Sequence, residues 1–307
     1  MMKTIPNALL RDYTTFKLGG PCPVLIECQT PRELQETIQS LAKEKKTFIL
    51  IGGGSNLVVS DSGIDNAVIR YLSDAPLIER QGNDIIVSGS TILDDLALFC
   101  VQEGLIGLNY TTGIPGTVGG AVVGNAGAWG KQVGDVLKSA IILDKNGNSK
   151  EVNNKYFGFE YRHSRLKETD EIVSEIRFAL MPSDPIALAR ERAEILKMRA
   201  EKHPDLSQFP CAGSFFRNIE ATSKADRRQA AGGFLEDAGG KKLQVGGAKI
   251  FEKHANIIVK SENCTAQDIY DLHLRMIKIV EDKFNLHLNR EVRFVGNFKN
   301  NKHEGFW

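Results

Sequence analysis

The chain has 307 residues, of which 42% are hydrophobic and 25% charged, and its formal net charge at pH 7 is +1. That length indicates two or three packed domains rather than one small core. The nearly neutral charge disfavours a nucleic-acid partner, so an anionic ligand must be held locally by backbone amides and a few Arg or Lys side chains.

Other features of the composition bear on location. No apolar run approaches the ~20 residues that span a bilayer, and residues 1–16 lack the apolar core of a signal peptide. The five cysteines show no metal-ligand spacing and fit buried thiols in a reducing compartment. We therefore expect a cytoplasmic protein with no membrane insertion and no metal.

The first part of the chain is predicted to alternate strands with one helix. Apolar runs predict strands at residues 24–27, 47–51 and 67–70. After the first of these, Thr30-Pro31-Arg32-Glu33 forms a capping box with proline at the first helical position, which predicts a helix start. The second strand leads directly into Gly52-Gly53-Gly54-Ser55-Asn56, which predicts a glycine turn.

The middle of the chain is rich in glycine. Residues 110–134 show no helical period, so we expect a loop there. Asn146-Gly147, flanked by predicted strands at residues 140–144 and 149–152, is a strong hairpin signal. The other predictions, in chain order, are a strand at 85–87, a helix at 93–101 ending at Gly104, a strand at 172–180, a basic helix from Asp184-Pro185 to His203-Pro204, a helix at 225–238 and a helix from the capping pair Thr265 and Asp268.

Two glycine-rich segments predict where a phosphate-bearing ligand binds. Residues 52–56 follow a strand, so successive amides can point into one concavity and bind an anion. In residues 113–128, Pro115 stiffens the loop while the glycines let the backbone approach a ligand closely. Leu57 stands where a dinucleotide-binding fingerprint needs its third glycine, and no Gly-Lys-Ser or Gly-Lys-Thr occurs. The sequence therefore predicts a nucleotide held by loops of neither type.

Three segments in the same order, residues 14–20, 52–56 and 113–121, resemble the FAD-binding fold of vanillyl-alcohol-oxidase-type flavoproteins. Relatives that attach the flavin covalently often carry a histidine after the first glycine loop. This chain has Ser55 and Asn56 there, so the resemblance implies non-covalent FAD. The cofactor contacts that it implies are Gly52, Gly53, Gly54, Ser55, Asn56, Gly113, Ile114, Pro115, Gly116, Gly119, Gly120, Asn125, Ala126, Gly127 and Ile172.

Further segments resemble the UDP-N-acetylenolpyruvoylglucosamine reductases: residues 157–164, 211–218, 246–248 with 252–256, and 288–296. The short passage between Leu180 and Asp184 resembles the subclass that lacks an inserted tyrosine-bearing loop. The resemblance covers nearly the whole chain. It implies that NADPH reduces bound FAD, which reduces UDP-N-acetylglucosamine enolpyruvate to UDP-N-acetylmuramate. The product would serve peptidoglycan synthesis, and through it cell shape and division.

The family pattern implies three catalytic residues. Arg162 would stabilise the negative charge that develops on the substrate carboxylate, because a guanidinium is a fixed and always charged fork. Ser214 would protonate the α-carbon, and Glu291 would share in stabilising and positioning the substrate. Structural explanations stay open for each of them, as a surface arginine, a turn cap and a cross-strand ion pair.

The same resemblance implies substrate contacts at Tyr161 and Asn218. Arg199 and Lys202, on the basic helix that precedes the Ser214 segment, are candidates to contact the UDP diphosphate. A solvated helix face explains Arg199 and Lys202 equally well. Among these residues, the diphosphate contacts are therefore the least determined by sequence.

The implied fold is α+β, with a two-lobed FAD-binding region of the PCMH type and a C-terminal α/β substrate-binding domain. Residues 1–72 would form the first lobe and 73–204 the second, with the PCMH-type region at about 17–182. Residues 285–307 are candidates to complete the second lobe, and 205–284 would bind the substrate. We expect a monomer, with a dimer as the alternative.

Two other functions compete with this one. The first is a flavin oxidase or dehydrogenase of the same fold that acts on hydroxy acids or alcohols; it would need a base to remove a substrate proton. The second is a non-catalytic protein that binds flavin or a nucleotide sugar. Reduction of the flavin by NADPH would separate this second alternative from both enzymes.

Overall fold

The computed structural model describes residues 3–169, 171–220 and 228–299. Its strands are β1 (Lys3–Leu9), β2 (Pro21–Cys28), β3 (Phe48–Ile51), β4 (Leu57–Val59), β5 (Ala67–Tyr71), β6 (Ile78–Gln81), β7 (Asp84–Ser88), β8 (Leu105–Ile106), β9 (Gly127–Ala128), β10 (Lys131–Gln132), β11 (Leu137–Leu143), β12 (Ser149–Asn153), β13 (Ile172–Ala179), β14 (Met181–Pro182), β15 (Cys211–Ser214), β16 (Gln244–Val245), β17 (Ala248–Phe251), β18 (His254–Lys260) and β19 (Arg293–Val295). Its α-helices are α1 (Pro31–Lys43), α2 (Leu93–Gln102), α3 (Val118–Val123), α4 (Pro185–Lys202), α5 (Ala231–Asp237) and α6 (Ala266–Phe284).

The chain divides into two compact units, and the first comprises the described residues within Met1–Asn7, Pro23–Gly53 and Asn66–Arg199. One of its sheets has the order β1-β2-β5-β3, in which β2 and β3 both run parallel to β5. The predicted capping box is confirmed, since Thr30 Oγ1 accepts the Glu33 N–H at 3.2 Å and the Glu33 carboxylate accepts the Thr30 N–H at 3.3 Å. The buried face of α1 packs on this sheet.

A second sheet of the first unit is antiparallel, with the order β12-β11-β13-β7-β6. The predicted hairpin joins β11 to β12, and Gly147 adopts the positive φ (+80°) that its turn requires. Apolar side chains from α2 and α3, such as Leu96 and Val122, pack with sheet residues such as Phe178 in one buried cluster. This core supports the loops that flank α3.

The second unit comprises the described residues within Ala8–Cys22, Gly54–Asp65 and Ala200–Trp307. Its antiparallel sheet has the order β15-β18-β17-β16, and β4 pairs with β19 in parallel. The predicted start of α6 is confirmed, because Thr265 and Asp268 form a complete capping box. Phe215, Leu272 and Phe294 contribute to a buried core that also contains residues of α5 and β18.

Two helix predictions were inaccurate. Residues 118–123, predicted as loop, form α3; the Thr117 hydroxyl accepts the Gly120 N–H at 3.2 Å, and buried valines on α3 pack inward. The helix predicted at 225–238 begins only at Ala231, because Gln229 exchanges two backbone hydrogen bonds with Ile219 and is extended there. Residues 221–227 lie outside the described part of the chain.

Candidate active site

The two glycine segments lie against each other in the first unit. A Cβ atom on Gly52 would stand 2.5 Å from the Thr117 hydroxyl, and one on Gly53 would stand 3.3 Å from Cα of Gly116. A side chain on Gly52 would displace Thr117, whose hydroxyl caps α3. The glycines therefore let the turn after β3 and the loop before α3 form one cradle of backbone.

The loop at residues 113–116 has a shape that glycine adopts readily. Gly113 has a φ of +71° and Gly116 a φ of +122°, which side-chain-bearing residues rarely adopt. Between them, the Ile114 N–H donates to the carbonyl of Thr111 at 2.9 Å. This backbone bond braces the loop, and a side chain at either glycine would strain it.

Arg199, near the end of α4, lies beside this loop. Its Cδ is 3.0 Å from the place that a Cβ of Gly113 would take, and its guanidinium carbon is 5.5 Å from the centre of the Trp129 ring. Among the described residues, its buried Nε has no hydrogen-bond partner. Burial lowers the pKa of Arg199, and the Asp94 carboxylate acts in the opposite direction. A half-buried positive charge is therefore available at the glycine cradle.

This cradle fits the group that the flavoprotein resemblance implies. A diphosphate needs backbone that can approach it closely and a cation that compensates its charge. Gly52, Gly53 and the loop at residues 113–116 supply the first, because a Cβ at Gly52 would collide with its surroundings. The Arg199 guanidinium supplies the second.

Arg162 lies in a tight turn of the first unit. The backbones of Glu160 and His163 exchange two hydrogen bonds, each of 3.1 Å. Arg162 itself has a φ of +55°, a left-handed conformation that costs a residue with a side chain roughly 1–2 kcal/mol. Its guanidinium carbon lies 5.4 Å from the centre of the Tyr161 ring. Because strain of this kind concentrates at functional sites, the conformation favours a functional role for Arg162.

The side chain of Asn125 supports that turn. Asn125 is 1% exposed, and its Nδ2 donates to the carbonyl of Glu160 at 2.8 Å and to Oε1 of Gln132 at 2.9 Å. Its Oδ1 accepts the Gly134 N–H at 2.9 Å. Both ends of the Asn125 side-chain amide are therefore bonded within the protein. The predicted contact of Asn125 with the cofactor stays a prediction, and it would use the backbone of Asn125.

Asn125→Asp is expected to lower kcat about tenfold and the free energy of unfolding by about 1–3 kcal/mol, because it removes the donor to the carbonyl of Glu160. Asn154→Asp is the matched control, since Asn154 Nδ2 donates to the carbonyls of Gly134 and Leu137 but not to the Arg162 turn. Urea unfolding and steady-state kinetics should show similar destabilisation of both variants and a loss of kcat for Asn125→Asp alone. Equal kcat values for the two variants would contradict the link to Arg162.

Ser214 and Glu291 come together in the second unit. Ser214 is half-buried at the end of β15. The carbonyl of the next residue, Phe215, accepts the N–H of Glu291 at 2.9 Å and that of Val292 at 3.3 Å. The predicted proton donor and the predicted carboxylate thus lie on neighbouring backbone segments.

Asn256 on β18 fixes the backbone after Ser214. Its carbonyl accepts the Phe215 N–H at 2.7 Å. Its side chain bonds both backbone groups of Phe216, accepting the N–H at 2.9 Å and donating to the carbonyl at 2.8 Å. The sequence interpretation gave Asn256 no role, although a polar residue inside the apolar run of β18 was a usable signal.

The end of the first glycine segment belongs to the second unit. Asn56 Nδ2 donates to the carbonyl of Glu291 at 3.1 Å. The carbonyl of Gly54 accepts the Thr15 N–H at 3.2 Å, and the Thr15 hydroxyl donates to the carbonyl of Cys211 at 2.7 Å. Within the second unit, Gly54 is therefore linked through Thr15 to the strand that carries Ser214, and Asn56 is linked to the backbone of Glu291.

The other predicted site residues have varied surroundings. Ile172 begins β13 and is 8% exposed in the core beside α1. Asn218 is exposed, and its Oδ1 accepts the Ala231 N–H at the start of α5 at 3.4 Å. Lys202 is exposed at the end of α4. Gly119 and Gly120 lie in α3, Gly127 begins β9, and Ser55, Ile114, Ala126 and Tyr161 are half-buried, whereas Pro115 is exposed.

The described residues contain neither a membrane-spanning helix nor a metal-binding cluster. In residues 3–169, 171–220 and 228–299, no helix has the length and apolar character to cross a membrane. Within the same described ranges, His, Cys, Asp and Glu side chains form no group of three or more that could hold a metal ion.

Two protein families match separate parts of the chain. Residues 22–153 match the FAD binding domain family, and residues 204–295 match the C-terminal domain of UDP-N-acetylenolpyruvoylglucosamine reductase. The chain is therefore a protein with an FAD-binding domain followed by a reductase C-terminal domain. The first match contains the glycine cradle, and the second contains Ser214 and Glu291.

Relatives over the full length define the family. UDP-N-acetylenolpyruvoylglucosamine reductase of Caldanaerobacter subterraneus is 35% identical over 94% of this chain and 93% of its own length. The Caldicellulosiruptor bescii enzyme of the same name is 36% identical over 94% and 90%. The crystal structure of UDP-N-acetylenolpyruvylglucosamine reductase from Thermus caldophilus matches with a TM-score of 0.78 and 29% identity, over 96% of this chain and 99% of that one. The chain belongs to the UDP-N-acetylenolpyruvoylglucosamine reductase family.

Proposed function

We infer that the protein reduces UDP-N-acetylglucosamine enolpyruvate to UDP-N-acetylmuramate with NADPH and non-covalent FAD, in peptidoglycan precursor synthesis. The observation that carries this inference is the 35% identity to a named reductase over 94% of the chain. The glycine cradle with Arg199 suits the diphosphate of FAD, which favours that ligand over the UDP diphosphate for Arg199. A cytoplasmic location and a monomeric state complete the proposal.

When bound, FAD supplies hydride transfer from NADPH to the β-carbon of the enolpyruvyl group. The guanidinium of Arg162 stabilises the negative charge that develops on the substrate carboxylate. Ser214 Oγ donates a proton to the α-carbon, which completes the addition of two hydrogens across the double bond. The carboxylate of Glu291, held on the backbone segment next to Ser214, positions the substrate. Tyr161, Asn218 and Lys202 are proposed to contact the substrate.

We assign domains in the same way. Residues 1–72 and 73–204 are proposed as the two FAD-binding lobes, and residues 205–284 as the substrate-binding domain. The family match at 22–153 supports the assignment of FAD-binding lobes, and the match at 204–295 supports the assignment of a substrate-binding domain.

The proposed function is tested by product analysis. The purified protein with FAD, NADPH and UDP-N-acetylglucosamine enolpyruvate should give a product heavier by two hydrogens, with one NADPH consumed for each product formed. UDP-N-acetylglucosamine, which lacks the enolpyruvyl group, is the substrate control and should support no NADPH consumption beyond the one equivalent that reduces each bound flavin. Oxygen consumption without reduced sugar nucleotide would favour a flavin oxidase, and absence of any NADPH consumption would favour a binding protein.

A further inference from the structure

The first turn of α2 holds both ends of the loop at residues 113–116. The backbone N–H of Leu93 donates to the carbonyl of Gly116 at 3.0 Å. The carboxylate of Asp94 accepts the N–H of Gly113 at 2.7 Å. A side chain therefore fixes the entry to the loop, and a backbone group fixes its exit.

Arg192 on α4 fixes the Asp94 carboxylate in turn. Its Nη1 donates to Oδ1 of Asp94 at 2.8 Å and its Nη2 donates to Oδ2 at 2.7 Å, so the pair is bidentate. Nη1 also donates to the hydroxyl of the buried Thr112 at 3.1 Å. One ion pair thus binds Gly113, the first residue of the loop, and Thr112, which precedes it.

This ion pair differs from an ordinary surface pair. The side chain of Arg192 is 13% exposed and that of Asp94 is 33% exposed. Burial acts to raise the pKa of Asp94, but the hydrogen bonds from Arg192 and from the Gly113 amide outweigh it, so the pKa lies below its usual value. Asp94 is therefore ionised at neutral pH. The bidentate bond to Arg192 also restricts the orientation of its carboxylate.

The pair of Asp94 and Arg192 also affects the charge of Arg199 beside the glycine cradle. Both oxygens of Asp94 accept from Arg192, and Oδ1 accepts from Gly113 as well. Arg199 lies beside Gly113, yet its Nε has no hydrogen-bond partner among the described residues. Arg192 thus holds both oxygens of Asp94 by hydrogen bonds, and the Arg199 guanidinium, on which the Asp94 charge still acts, keeps its Nε for a ligand.

We propose that Asp94 and Arg192 are positioning residues that preorganise the loop at residues 113–116 for the diphosphate of FAD. The inference rests on the proposed function only in taking FAD as the ligand of this loop. Loss of the pair would let the Gly113 amide move and would expose Arg199 to a competing carboxylate or amide. Affinity for FAD would fall before any step that involves the sugar nucleotide.

Titration of the apoprotein with FAD, followed by flavin fluorescence, tests the proposal without substrate. Asp94→Asn is expected to raise the Kd for FAD at least about tenfold, since a hydrogen bond to a charged group contributes about that much. Arg192→Lys keeps the charge but loses the fork, so its Kd should lie between those of the wild type and Asp94→Asn. FAD should also raise the Tm of both variants less than that of the wild type.

Glu103→Gln is the matched control, because Glu103 caps the other end of α2 and pairs with Arg80 at 2.7 Å, away from the loop. Its Kd should equal that of the wild type. A Kd unchanged in Asp94→Asn, even with lower apoprotein stability, would overturn the proposal and leave the pair a structural one. If Asp94→Asn does not fold, the Kd of Arg192→Lys decides in the same way. Failure of the proposed function would appear differently, as wild-type protein that binds FAD but does not reduce the enolpyruvyl group.

Discussion

Arg162→Gly is expected to lower kcat by about 10²–10³, the usual effect of removing one group that stabilises a developing oxyanion. Reduction of the flavin by NADPH should keep its rate, because the proposed role of the Arg162 guanidinium is to stabilise charge on the carboxylate of the sugar nucleotide. Stopped-flow absorbance at the flavin band, recorded separately for the NADPH step and the sugar-nucleotide step, measures both.

The same variant separates a catalytic from a structural Arg162. The left-handed φ of +55° at Arg162 suits glycine better than arginine, so the free energy of unfolding should be maintained or raised by up to about 1–2 kcal/mol. Lys45→Gly is the control for the backbone effect, since the exposed Lys45 also has a φ of +55°. It should gain stability without losing activity. A parallel loss of stability and kcat in Arg162→Gly would indicate that Arg162 only supports the fold.

Ser214→Ala is expected to slow the sugar-nucleotide step by about 10²–10⁴, the range for loss of a placed proton donor. Binding of FAD and its reduction by NADPH should not change, because Asn256 fixes the backbone of Phe215 and Phe216, directly after Ser214. Single-turnover reoxidation of the reduced enzyme by the sugar nucleotide gives the rate directly.

Two further variants make the Ser214 result specific. Ser214→Cys retains a proton on a side chain of similar size and should recover part of the rate lost in Ser214→Ala. Ser207→Ala removes an exposed hydroxyl that donates to Asp205 in the same unit, and should behave as wild type. Ser214→Ala reacting at the wild-type rate would assign the proton to another group.

Much of the local structure was predictable, because the patterns that specify it involve residues close together in the sequence. The capping boxes that begin α1 and α6 each lie within four residues, and the Asn146-Gly147 turn joins adjacent strands. The short helix α3 was missed, because two of its six residues are glycine and oppose helix formation. Its stability comes from the local Thr117 cap and from burial of Val118 and Val122, and that burial is a tertiary effect.

The sequence predicted the candidate catalytic residues but not the residues that hold the loops of the site in place. The resemblance indicated Ser214 and Glu291, and the structure places them on adjoining backbone segments. Asp94 looks in sequence like an ordinary acid in the first turn of a helix. Its bonds to Gly113 and to Arg192 join residues far apart in the chain, and no local pattern encodes such contacts.

The left-handed backbone conformation of Arg162 was also not predictable from the sequence. A left-handed φ is typical of glycine or asparagine, and the sequence Glu160-Tyr161-Arg162-His163 contains neither. The turn exists because Glu160 and His163 pair and because the buried Asn125 holds the Glu160 carbonyl. A local backbone pairing and one distant side chain, that of Asn125, therefore hold Arg162 in a conformation that an isolated arginine disfavours.

Anaerobic mixing of the FAD-loaded protein with NADPH, followed by UDP-N-acetylglucosamine enolpyruvate, tests the central claim most directly. The flavin absorbance should bleach with NADPH and return when the sugar nucleotide is added, with one UDP-N-acetylmuramate formed for each flavin reoxidised. A flavin that bleaches with NADPH but is reoxidised only after oxygen is admitted would contradict the assignment.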